Sequence, residues 1–572
     1  MDKEELKNIV KKLALKNAID YGKADYKAVL NKTISKDPES KKDMKGLEGI
    51  VIEVVNSVNS MEAGQIEKEF SEYKDEFEIE EQKKAEKSSK PRFELPGAKV
   101  GEFATRFPPE PSGYMHIGHA KVAYLEQEFT KIYNGKFFLY FDDTNPEKEK
   151  QEYVDQFKID LEWLGMSFDK EYYASDNVPK IYEYAKELIK SGKAYVCTCE
   201  QDIIKRNRFN GIACIHRDHS IEENLYLFED MLNGKIDEGK AVLRFKGNLQ
   251  DNNTAMRDPT LIRIKHADHY RQGDKYVAWP TYDLNTPIMD SINGVTDVIR
   301  SKEYELRNEL DLKILDALGL RKPRIHLEAR LVIKDSPTQK RVINKLLKEK
   351  VISSYDDPRL ATIAGMRRRG ITPEAIRAFV LRFGMSKVES YMNMDILLAE
   401  NRKIIDKNAK RLFFVSDPAE ITVEGIDSME VKLKLHPSND LGYREYAVGD
   451  IFYISGSDAK GLSEGESIRL KDLYNIKIEK ITGNKIHGTY IGNDSIDAKK
   501  VQWVEKNNYV NAELIIPKPL LINGEINKDS LESVKGYAES YAKNINKDDV
   551  VQFERVGFFK LDDVKNMQFI GI

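Results

Sequence analysis

The sequence has little of two features that would each assign it to a particular class of protein. Its 572 residues include only three cysteines, too few for a disulfide framework, and this scarcity indicates a reducing compartment. No stretch approaches the ~18 consecutive apolar residues that a membrane-spanning helix needs, and the first residues lack the apolar segment of a signal peptide. We therefore expect a cytoplasmic protein that has no membrane partner.

An excess of charge of one sign is also missing. Lys and Arg number 91 while Asp and Glu number 95, which gives a net charge of -4. The chain as a whole therefore has no excess positive charge that would attract nucleic acid. Any surface that binds nucleic acid must be a local positive patch. Apolar residues make up 41% of the chain, enough to form hydrophobic cores, and the length predicts roughly three to five domains.

Three segments of the chain differ in the pattern of their apolar and polar residues. Apolar residues recur at helical spacing up to about residue 80, as in Leu6, Ile9 and Leu13, and predict a small helical domain. A charged stretch that is poor in apolar residues, 81–99, is typical of a linker. Beyond Asp417 apolar and polar residues alternate between Gly and Asn turns, which predicts antiparallel sheets and β-barrels.

One stretch, TRFPPEPSGYMHIGH at Thr105–His119, predicts a strand, a loop stiffened by prolines and a helix that starts near the last histidine. The run from Lys136 to Pro146 then predicts a second strand that is buried in a parallel sheet. Strand, helix and strand make a right-handed βαβ unit. Ligands of such sheets bind at the carboxyl ends of the strands, where Arg106 and Asp142 lie.

The start of the predicted helix suits a nucleotide phosphate. A helix N-terminus presents unpaired backbone N–H groups and the positive end of the helix dipole. His116 and His119 are close enough in sequence to face one ligand, and Gly118 between them leaves room for a flat ring against the backbone. For an arbitrary pair of this spacing, two structural histidines are the alternative interpretation.

The whole stretch closely resembles the first signature motif of class I aminoacyl-tRNA synthetases, in the form carried by the glutamyl and glutaminyl enzymes. Two later stretches resemble the same family, YDDPRL at Tyr355–Leu360 and GMRRRG at Gly365–Gly370. The C-terminal alternating segments resemble the two anticodon-binding barrels of the glutaminyl and the archaeal-type glutamyl enzymes. The resemblance covers nearly the whole chain from Val100 onward and favours the archaeal type of glutamyl enzyme.

This resemblance implies a multidomain α/β fold. Its parts are a Rossmann-like parallel-sheet catalytic domain with an inserted acceptor-binding domain, helical N-terminal and stem regions, and C-terminal antiparallel β-barrels. The expected domains are, in chain order, a helical N-terminal domain (1–80), a linker (81–99), the first catalytic half (100–195), an insertion that binds the tRNA acceptor end (196–275), the second catalytic half (276–334), the second ATP motif with a helical stem-contact region (335–416), and the anticodon-binding β-barrels (417–572).

The resemblance also implies roles around ATP. The residues implied as catalytic are His116, His119 and Lys340. The implied ATP contacts are Pro108, Gly118, Lys340 and Arg341. Mg²⁺ is implied by the pyrophosphate that leaves. The second ATP motif departs from its usual MSK text because Thr338 and Gln339 replace Met and Ser before Lys340, and a basic pair on a solvated helix start is the alternative for this segment.

For the amino acid, the resemblance places Asp142 on the α-ammonium group, Tyr282 on the side chain and Arg106 on the substrate. Arg300 matches the glutamyl enzymes, whereas glutaminyl relatives carry a small uncharged residue there. A buried cation is tolerable only where a carboxylate neutralises it, so Arg300 favours glutamate over glutamine. An ordinary salt bridge is the alternative for Arg300, and a simple chain turn is the alternative for Asp142.

The expected function is ATP-dependent activation of glutamate to glutamyl-adenylate and its transfer to the 3′ end of tRNA(Glu). A glutaminyl-tRNA synthetase is opposed by Arg300, whereas Thr338 and Gln339 keep open a catalytically silent tRNA-binding paralogue. A stand-alone nucleotidyltransferase is disfavoured because it has no use for the C-terminal barrels. The sequence leaves open whether tRNA(Gln) is a second partner.

A second cluster of residues predicts a metal site. All three cysteines fall in one window with a histidine, as C-x-C followed by C-x-H, and offer four ligands for a structural Zn²⁺: Cys197, Cys199, Cys214 and His216. Small buried residues without a metal are the alternative.

A third cluster, in the helical stem region, predicts contact with tRNA. Positive charge is concentrated in Arg367, Arg368 and Arg369, which suits the phosphates of an RNA stem. A solvated helix face is the alternative.

Overall fold

The computed structural model describes residues 3–37, 40, 43–71, 73, 93–334 and 336–572. The chain divides into two compact units, Met1–Glu94 and Leu95–Ile572. Residues 81–92 of the predicted linker lie outside the described residues. In the part of the chain that is described, no helix is both long and apolar enough to cross a membrane.

The first unit is helical, as the spacing of its apolar residues predicts. Its helices are α1 (Lys3–Tyr21), α2 (Tyr26–Lys36), α3 (Met44–Asn59) and α4 (Ala63–Ser71). The apolar face of α3, which includes Val51 and Val55, shares a core with Val10 of α1. Asp25 caps α2, because its side chain accepts a hydrogen bond from the backbone N–H of Ala28.

The second unit begins with parallel strands joined by helices. Its elements are β1 (Ala104–Phe107), α5 (Ile117–Ile132), β2 (Lys136–Phe141), α6 (Gln151–Trp163), β3 (Lys170–Tyr173) and α7 (Val178–Lys190). β1, β2 and β3 are parallel neighbours, which confirms the predicted parallel sheet. α5 begins at Ile117, earlier than the predicted His119, because His116 takes the capping position.

An antiparallel sheet then interrupts the parallel one. Its elements are β4 (Ala194–Cys197), α8 (Gln201–Asn210), α9 (Ile221–Leu232), β5 (Val242–Phe245), β6 (Thr260–Ile264) and β7 (Ala278–Pro280). The strands are ordered β4-β5-β6-β7. The sheet therefore includes a little more of the chain at both ends than the predicted insertion, 196–275.

The parallel arrangement resumes after the insertion. Its elements are α10 (Tyr282–Ile292), β8 (Asp297–Ser301), α11 (Asn308–Ala317), β9 (Arg324–Glu328) and β10 (Leu331–Ile333). β8 and β9 are parallel. Thr296, just before β8, donates its backbone N–H to the carbonyl oxygen of Ala104 at 2.8 Å, which places β8 beside β1. The carboxyl ends of β1, β2 and β8 therefore meet at one edge.

A mostly helical region follows. Its elements are α12 (Lys340–Lys348), α13 (Ile363–Arg369), α14 (Pro373–Leu381), β11 (Ser390–Met392) and α15 (Met394–Ile405). Thr362 and Thr372 cap α13 and α14 by accepting backbone N–H groups of the first turn. Ile363 and Phe379 share a core with Tyr124 of α5. This region is thereby packed against the helix that carries the two histidines.

Two seven-stranded sheets form the C-terminal part. The elements of this part are β12 (Lys410–Leu412), β13 (Phe414–Ser416), β14 (Pro418–Glu424), β15 (Met429–Lys434), β16 (Tyr443–Val448), β17 (Ile451–Ser455), α16 (Gly456–Ala459), β18 (Ser467–Leu470), β19 (Asn475–Thr482), β20 (Lys485–Tyr490), β21 (Lys499–Val501), β22 (Trp503–Glu505), β23 (Tyr509–Pro517), β24 (Leu521–Ile522), β25 (Glu525–Ile526), β26 (Leu531–Glu539), β27 (Val550–Phe553), β28 (Gly557–Asp563) and β29 (Gln568–Gly571).

Each sheet curls into a nearly closed barrel, because its two edge strands follow each other directly along the chain. The first barrel has the order β12-β27-β28-β29-β23-β26-β13, and the second has β21-β18-β19-β20-β14-β17-β22. The second barrel is thus inserted between β13 and β23 of the first. Residues 410–416, which the sequence assigned to the helical stem region, form β12 and β13, since three-residue strands are too short to show an alternating pattern.

Candidate active site

The two histidines of the opening stretch lie side by side at the start of α5, and their rings stack at 3.8 Å. Nδ1 of His116 accepts a hydrogen bond from the backbone N–H of Gly118 (3.1 Å), and Nδ1 of His119 accepts one from the N–H of His116 (3.2 Å). Burial lowers the pKa of His119 to about 4 and the pKa of His116 well below its usual value. Both rings are therefore neutral, and each keeps an Nε2–H that can donate to a phosphate oxygen.

Gly118 has a structural role that the sequence did not predict. A Cβ at this position would lie 2.9 Å from Cε1 of His116, so a larger residue would displace the capping ring. The glycine thus makes room for the histidine itself. It also lines the cavity in front of the two rings, and its predicted contact with ATP stays a prediction.

That cavity has a volume of about 670 Å³, and Lys340 and Pro108 line it together with both histidines. Lys340 is the first residue of α12; its Nζ donates to the carbonyl oxygen of Ser112 and lies 5.3 Å from the ring centre of Tyr153. Burial lowers the pKa of Lys340. Arg341 is exposed and is not among the described residues that line the cavity, so the structure places only the first of the two predicted basic residues in the site.

Asp142 lies just after β2 and faces the same cavity. Its Oδ1 accepts a hydrogen bond from Nδ2 of Asn285 at 2.9 Å. Burial raises its pKa to about 8, with further contributions from the carboxyl groups of Glu149, Glu110 and Asp143. The empty site therefore favours the protonated acid, and an ammonium group brought close to it would ionise it. This need for a cation suits the role predicted for Asp142.

Arg106, the predicted substrate contact on β1, is only 1% exposed. Its Nε donates to Oδ1 of Asp290 at 2.6 Å, and its Nη1 lies 3.9 Å from Oε1 of Glu126. Burial raises the pKa of Glu126 well above its usual value, and within the described chain neither of its carboxyl oxygens has a hydrogen-bond partner. Asp290 therefore balances the charge of Arg106. Arg106 lines the cavity, and its contact with substrate stays a prediction.

Arg300, on β8, lies next to Tyr282, the first residue of α10. Its Nη1 donates to the Tyr282 hydroxyl at 3.1 Å and to Oδ2 of Asp311 at 2.7 Å. Arg300 and Tyr282 line the cavity with Asp142. The structure thus brings the groups predicted for the ammonium group and the side chain of an amino acid into one cavity with the groups predicted for ATP.

Three known families match most of the second unit. Residues 102–407 match the family described as tRNA synthetases class I (E and Q), catalytic domain. Residues 409–494 and 500–562 match two families that are both described as the anti-codon binding domain of the same synthetases. The first match alone spans more than half of the chain. The chain belongs to the class I tRNA synthetases of the E and Q type.

Relatives of the synthetase match it over its full length. It is 43% identical over 561 residues to the glutamate–tRNA ligase of Nitrosopumilus maritimus, with 98% of each chain covered. It is 40% identical to the glutamate–tRNA ligase of Cenarchaeum symbiosum, with 96% of each chain covered, and 38% identical to that of Pyrococcus furiosus, with 99% of each covered. These matches confirm the predicted archaeal type.

The three arginines at the end of α13 do not form the open patch that the sequence predicted for tRNA. Arg367 lies 3.5 Å from Asp160, and Arg368 donates to Oδ2 of Asp562 on β28 at 2.8 Å. Arg369 is buried and donates to backbone carbonyls of the first barrel. Arg369 therefore ties α13 to the barrel and does not share an open surface with the partly exposed Arg367 and Arg368. Contact of the three arginines with tRNA stays a prediction.

The cysteines of the synthetase converge with His216 as the spacing suggests. Cys197 ends β4, and its Sγ lies 3.7 Å from Sγ of Cys214. Sγ of Cys199 lies 3.4 Å from Nδ1 of His216. All four potential ligand atoms lie within 4.8 Å of one another. Three sulfur atoms and one imidazole nitrogen at this separation are suited to tetrahedral Zn²⁺.

Three polar residues around the amino-acid end of the cavity are not indicated by the sequence motifs. Asn285 follows Tyr282 by one helical turn, and that spacing could have indicated it, because residues three apart share a helix face. Asn308 and Asp311 hold the guanidinium of Arg300 from α11. No local pattern joins them to β8, since only the fold brings the strand and the following helix together.

Proposed function

We propose that this synthetase is a glutamate–tRNA ligase, which forms glutamyl-adenylate from glutamate and ATP with release of pyrophosphate and then passes glutamate to the 3′ end of tRNA(Glu). The observation that carries the proposal is Arg300, a buried cation that lines the cavity beside Tyr282. Glutamate and glutamine are nearly isosteric, so a pocket separates them mainly by charge. The names of the full-length relatives support the same substrate.

The first step needs little covalent help from the protein, because positioning and cancellation of charge supply most of the rate. Asp142 holds the α-ammonium group, and Arg300 with Tyr282 holds the γ-carboxylate. The α-carboxylate is then free to attack the α-phosphorus, and pyrophosphate leaves. The His116 ring donates to phosphate oxygens as a neutral group. Lys340 donates to them with its positive charge. In the second step a hydroxyl of the terminal adenosine attacks the glutamyl carbonyl, and AMP leaves.

Mg²⁺ carried by the triphosphate would neutralise charge on the leaving pyrophosphate. Glu110 and Glu149 line the cavity, and their oxygen atoms fit this hard cation. Burial and the neighbouring Asp143 raise the pKa of Glu149 to about 9, so a cation that approaches would ionise this acid.

Charging of purified tRNA(Glu) and tRNA(Gln), each with glutamate and with glutamine, tests the proposed function. We expect glutamate to be joined to tRNA(Glu) and no transfer of glutamine. Transfer of glutamine in preference to glutamate would identify a glutaminyl-tRNA synthetase instead. Binding of tRNA(Glu) without any aminoacylation would identify a catalytically silent paralogue. Charging of tRNA(Gln) with glutamate would add a second tRNA partner.

The raised pKa of Asp142 predicts a pH dependence of glutamate binding. Only the ionised carboxylate holds the α-ammonium group, so binding drives a proton off an acid whose pKa in the empty site is about 8. Replacement Asp142→Asn should therefore cost little at pH 6, where the native acid is protonated, and much more at pH 8. We expect the ratio of the glutamate KM of Asp142→Asn to that of the unmodified enzyme to rise by up to about tenfold per pH unit over this interval. A ratio that stays constant would contradict the assignment.

We further propose that Cys197, Cys199, Cys214 and His216 hold one structural Zn²⁺. Metal analysis of the purified protein should find about one zinc per chain, and Cys199→Ser should lose most of it and lower the melting temperature. His219→Gln is the matched control, because the ring of His219 lies 5.1 Å from that of His216 outside the ligand set. Zinc well below one per chain in the unmodified protein would remove the site.

A further inference from the structure

Arg300 is held on its far side by two residues of α11 that have no assigned role. We propose that Asp311, together with Asn308, is a positioning residue that makes Arg300 select glutamate over glutamine, because these two residues and Tyr282 leave only one guanidinium N–H for the substrate. This inference deepens the proposed function and rests on it, since it concerns the same amino-acid pocket.

The hydrogen bonds of Arg300 account for most of its donors. A guanidinium carries five N–H groups. Nε donates to Oδ1 of Asn308 at 3.0 Å, and Nη2 donates to the same oxygen. The two N–H groups of Nη1 are directed to Tyr282 and to Asp311. Within the described residues, one N–H of Nη2 is left, and Arg300 lines the cavity.

The hydroxyl of Tyr282 is the second donor that this arrangement provides. It accepts a hydrogen bond from Arg300, so its own proton is available to the cavity. A glutamate carboxylate offers one acceptor oxygen to each of these two donors. The amide of glutamine offers one oxygen, and its NH₂ group would face a donor. Arg300 therefore discriminates between glutamate and glutamine through the direction of its available N–H as well as through its charge. Asp311 and Asn308 fix that direction.

Asp311 also shares its charge with Arg300 in the empty pocket. It is buried, and its Oδ1 has no hydrogen-bond partner within the described chain. Burial raises its pKa to about 7; Arg300 acts in the opposite direction, and Asp283 and Asp290 on α10 act in the same direction as burial. A γ-carboxylate that binds Arg300 adds a second negative charge and favours protonated Asp311. Glutamate binding should therefore take up a proton here, whereas glutamine binding should not.

Two variants of Asp311 separate its effect on the orientation of Arg300 from the effect of its charge. Asp311→Ala removes the acceptor, and Asp311→Asn keeps an oxygen in place but removes the charge. Asp316→Ala on the same helix is the control, since Asp316 is exposed and pairs with Lys322 at the surface. Glutamate- and glutamine-dependent ATP–pyrophosphate exchange is measured with tRNA(Glu) present, and circular dichroism reports folding.

We expect Asp311→Ala to lower the ratio of kcat/KM for glutamate to that for glutamine by roughly tenfold or more, with the KM for ATP unchanged. Asp311→Asn should restore this ratio at pH 6. Its glutamate KM, divided by that of the unmodified enzyme, should fall as the pH rises from 6 to 8, because only the native Asp311 must take up a proton. Asp316→Ala should change neither quantity.

An unchanged glutamate-to-glutamine ratio in Asp311→Ala, or an equal loss in the KM for ATP, would overturn the inference. If Asp311→Ala does not fold, the pH profile of Asp311→Asn decides, and a KM ratio that is independent of pH overturns it. An unmodified enzyme without glutamate-dependent exchange would instead overturn the proposed function, so the two failures are distinguishable.

Discussion

Replacement of Arg300 by cysteine will lower kcat/KM for glutamate by roughly a thousandfold, while the KM for ATP stays within about twofold of its original value. The substitution removes the buried cation that we propose binds the γ-carboxylate, and it leaves the two histidines and Lys340 in place. A carboxylate that must enter the pocket unpaired loses far more binding energy than an uncharged amide does. Initial rates of ATP–pyrophosphate exchange over a range of glutamate, glutamine and ATP concentrations measure this effect.

The stability of the same variant is a check on its interpretation. Loss of Arg300 leaves Asp311 without its ion-pair partner, and burial already raises the pKa of this acid to about 7. Its folded-state pKa then lies further above the unfolded value, so the variant should lose more stability at pH 8 than at pH 6. Losses of equal size for glutamate and ATP would show that the substitution damaged the fold, and the assignment of Arg300 to glutamate would fail.

Replacement of Lys340 by alanine will lower kcat for adenylate formation by roughly a hundredfold to a thousandfold. Lys340 is the only positive charge of the second ATP motif that lines the described cavity, and the neutral histidines cannot replace it. The neighbouring substitution Arg341→Ala is the matched control. It removes the same charge from an exposed residue next in sequence, so its kcat should stay within about twofold of the original.

The comparison of these two lysine and arginine variants also tests the departure at Thr338 and Gln339. Both residues line the cavity beside Lys340, in the places where the family usually has Met and Ser. Equal effects of Lys340→Ala and Arg341→Ala would mean that the atypical segment does not place Lys340 on the triphosphate. An effect confined to Lys340 would mean that the charge alone preserves the function of the motif.

The sequence predicted those parts of the synthetase whose signals are local. Alternation of apolar residues beyond Asp417 predicted sheets that are mostly antiparallel, although β12–β27, β14–β20, β18–β21 and β23–β29 pair in parallel. The proline-rich loop before His116 indicated a strand followed by a helix. The residues expected around ATP and the amino acid were identified because their motifs resemble those of a known family. The structure brings His116, Asp142, Tyr282 and Arg300 into one cavity, although their roles stay predictions.

Contacts between distant segments could not be predicted in this way. Nothing in the sequence distinguishes Arg367, Arg368 and Arg369 from one another. Only the barrel packed on α13 determines that Arg369 is the buried one. Gly118 is required by the ring of His116, which no sequence pattern shows. Asp311 acts on Arg300 across a strand–helix junction. In each case the partner is fixed by tertiary packing rather than by spacing along the chain.

The insertion of one barrel into the other sets an order of events on the ribosome. β13 pairs with β26, so its partner is synthesised only after roughly 115 further residues, a delay on the order of 10 s at usual rates of translation. All strands of the second barrel, by contrast, emerge within that interval. The second barrel can therefore fold while β12 and β13 still lack their partner strands. A nascent chain that stalls before β26 would expose those two strands to chaperones or to other stalled chains.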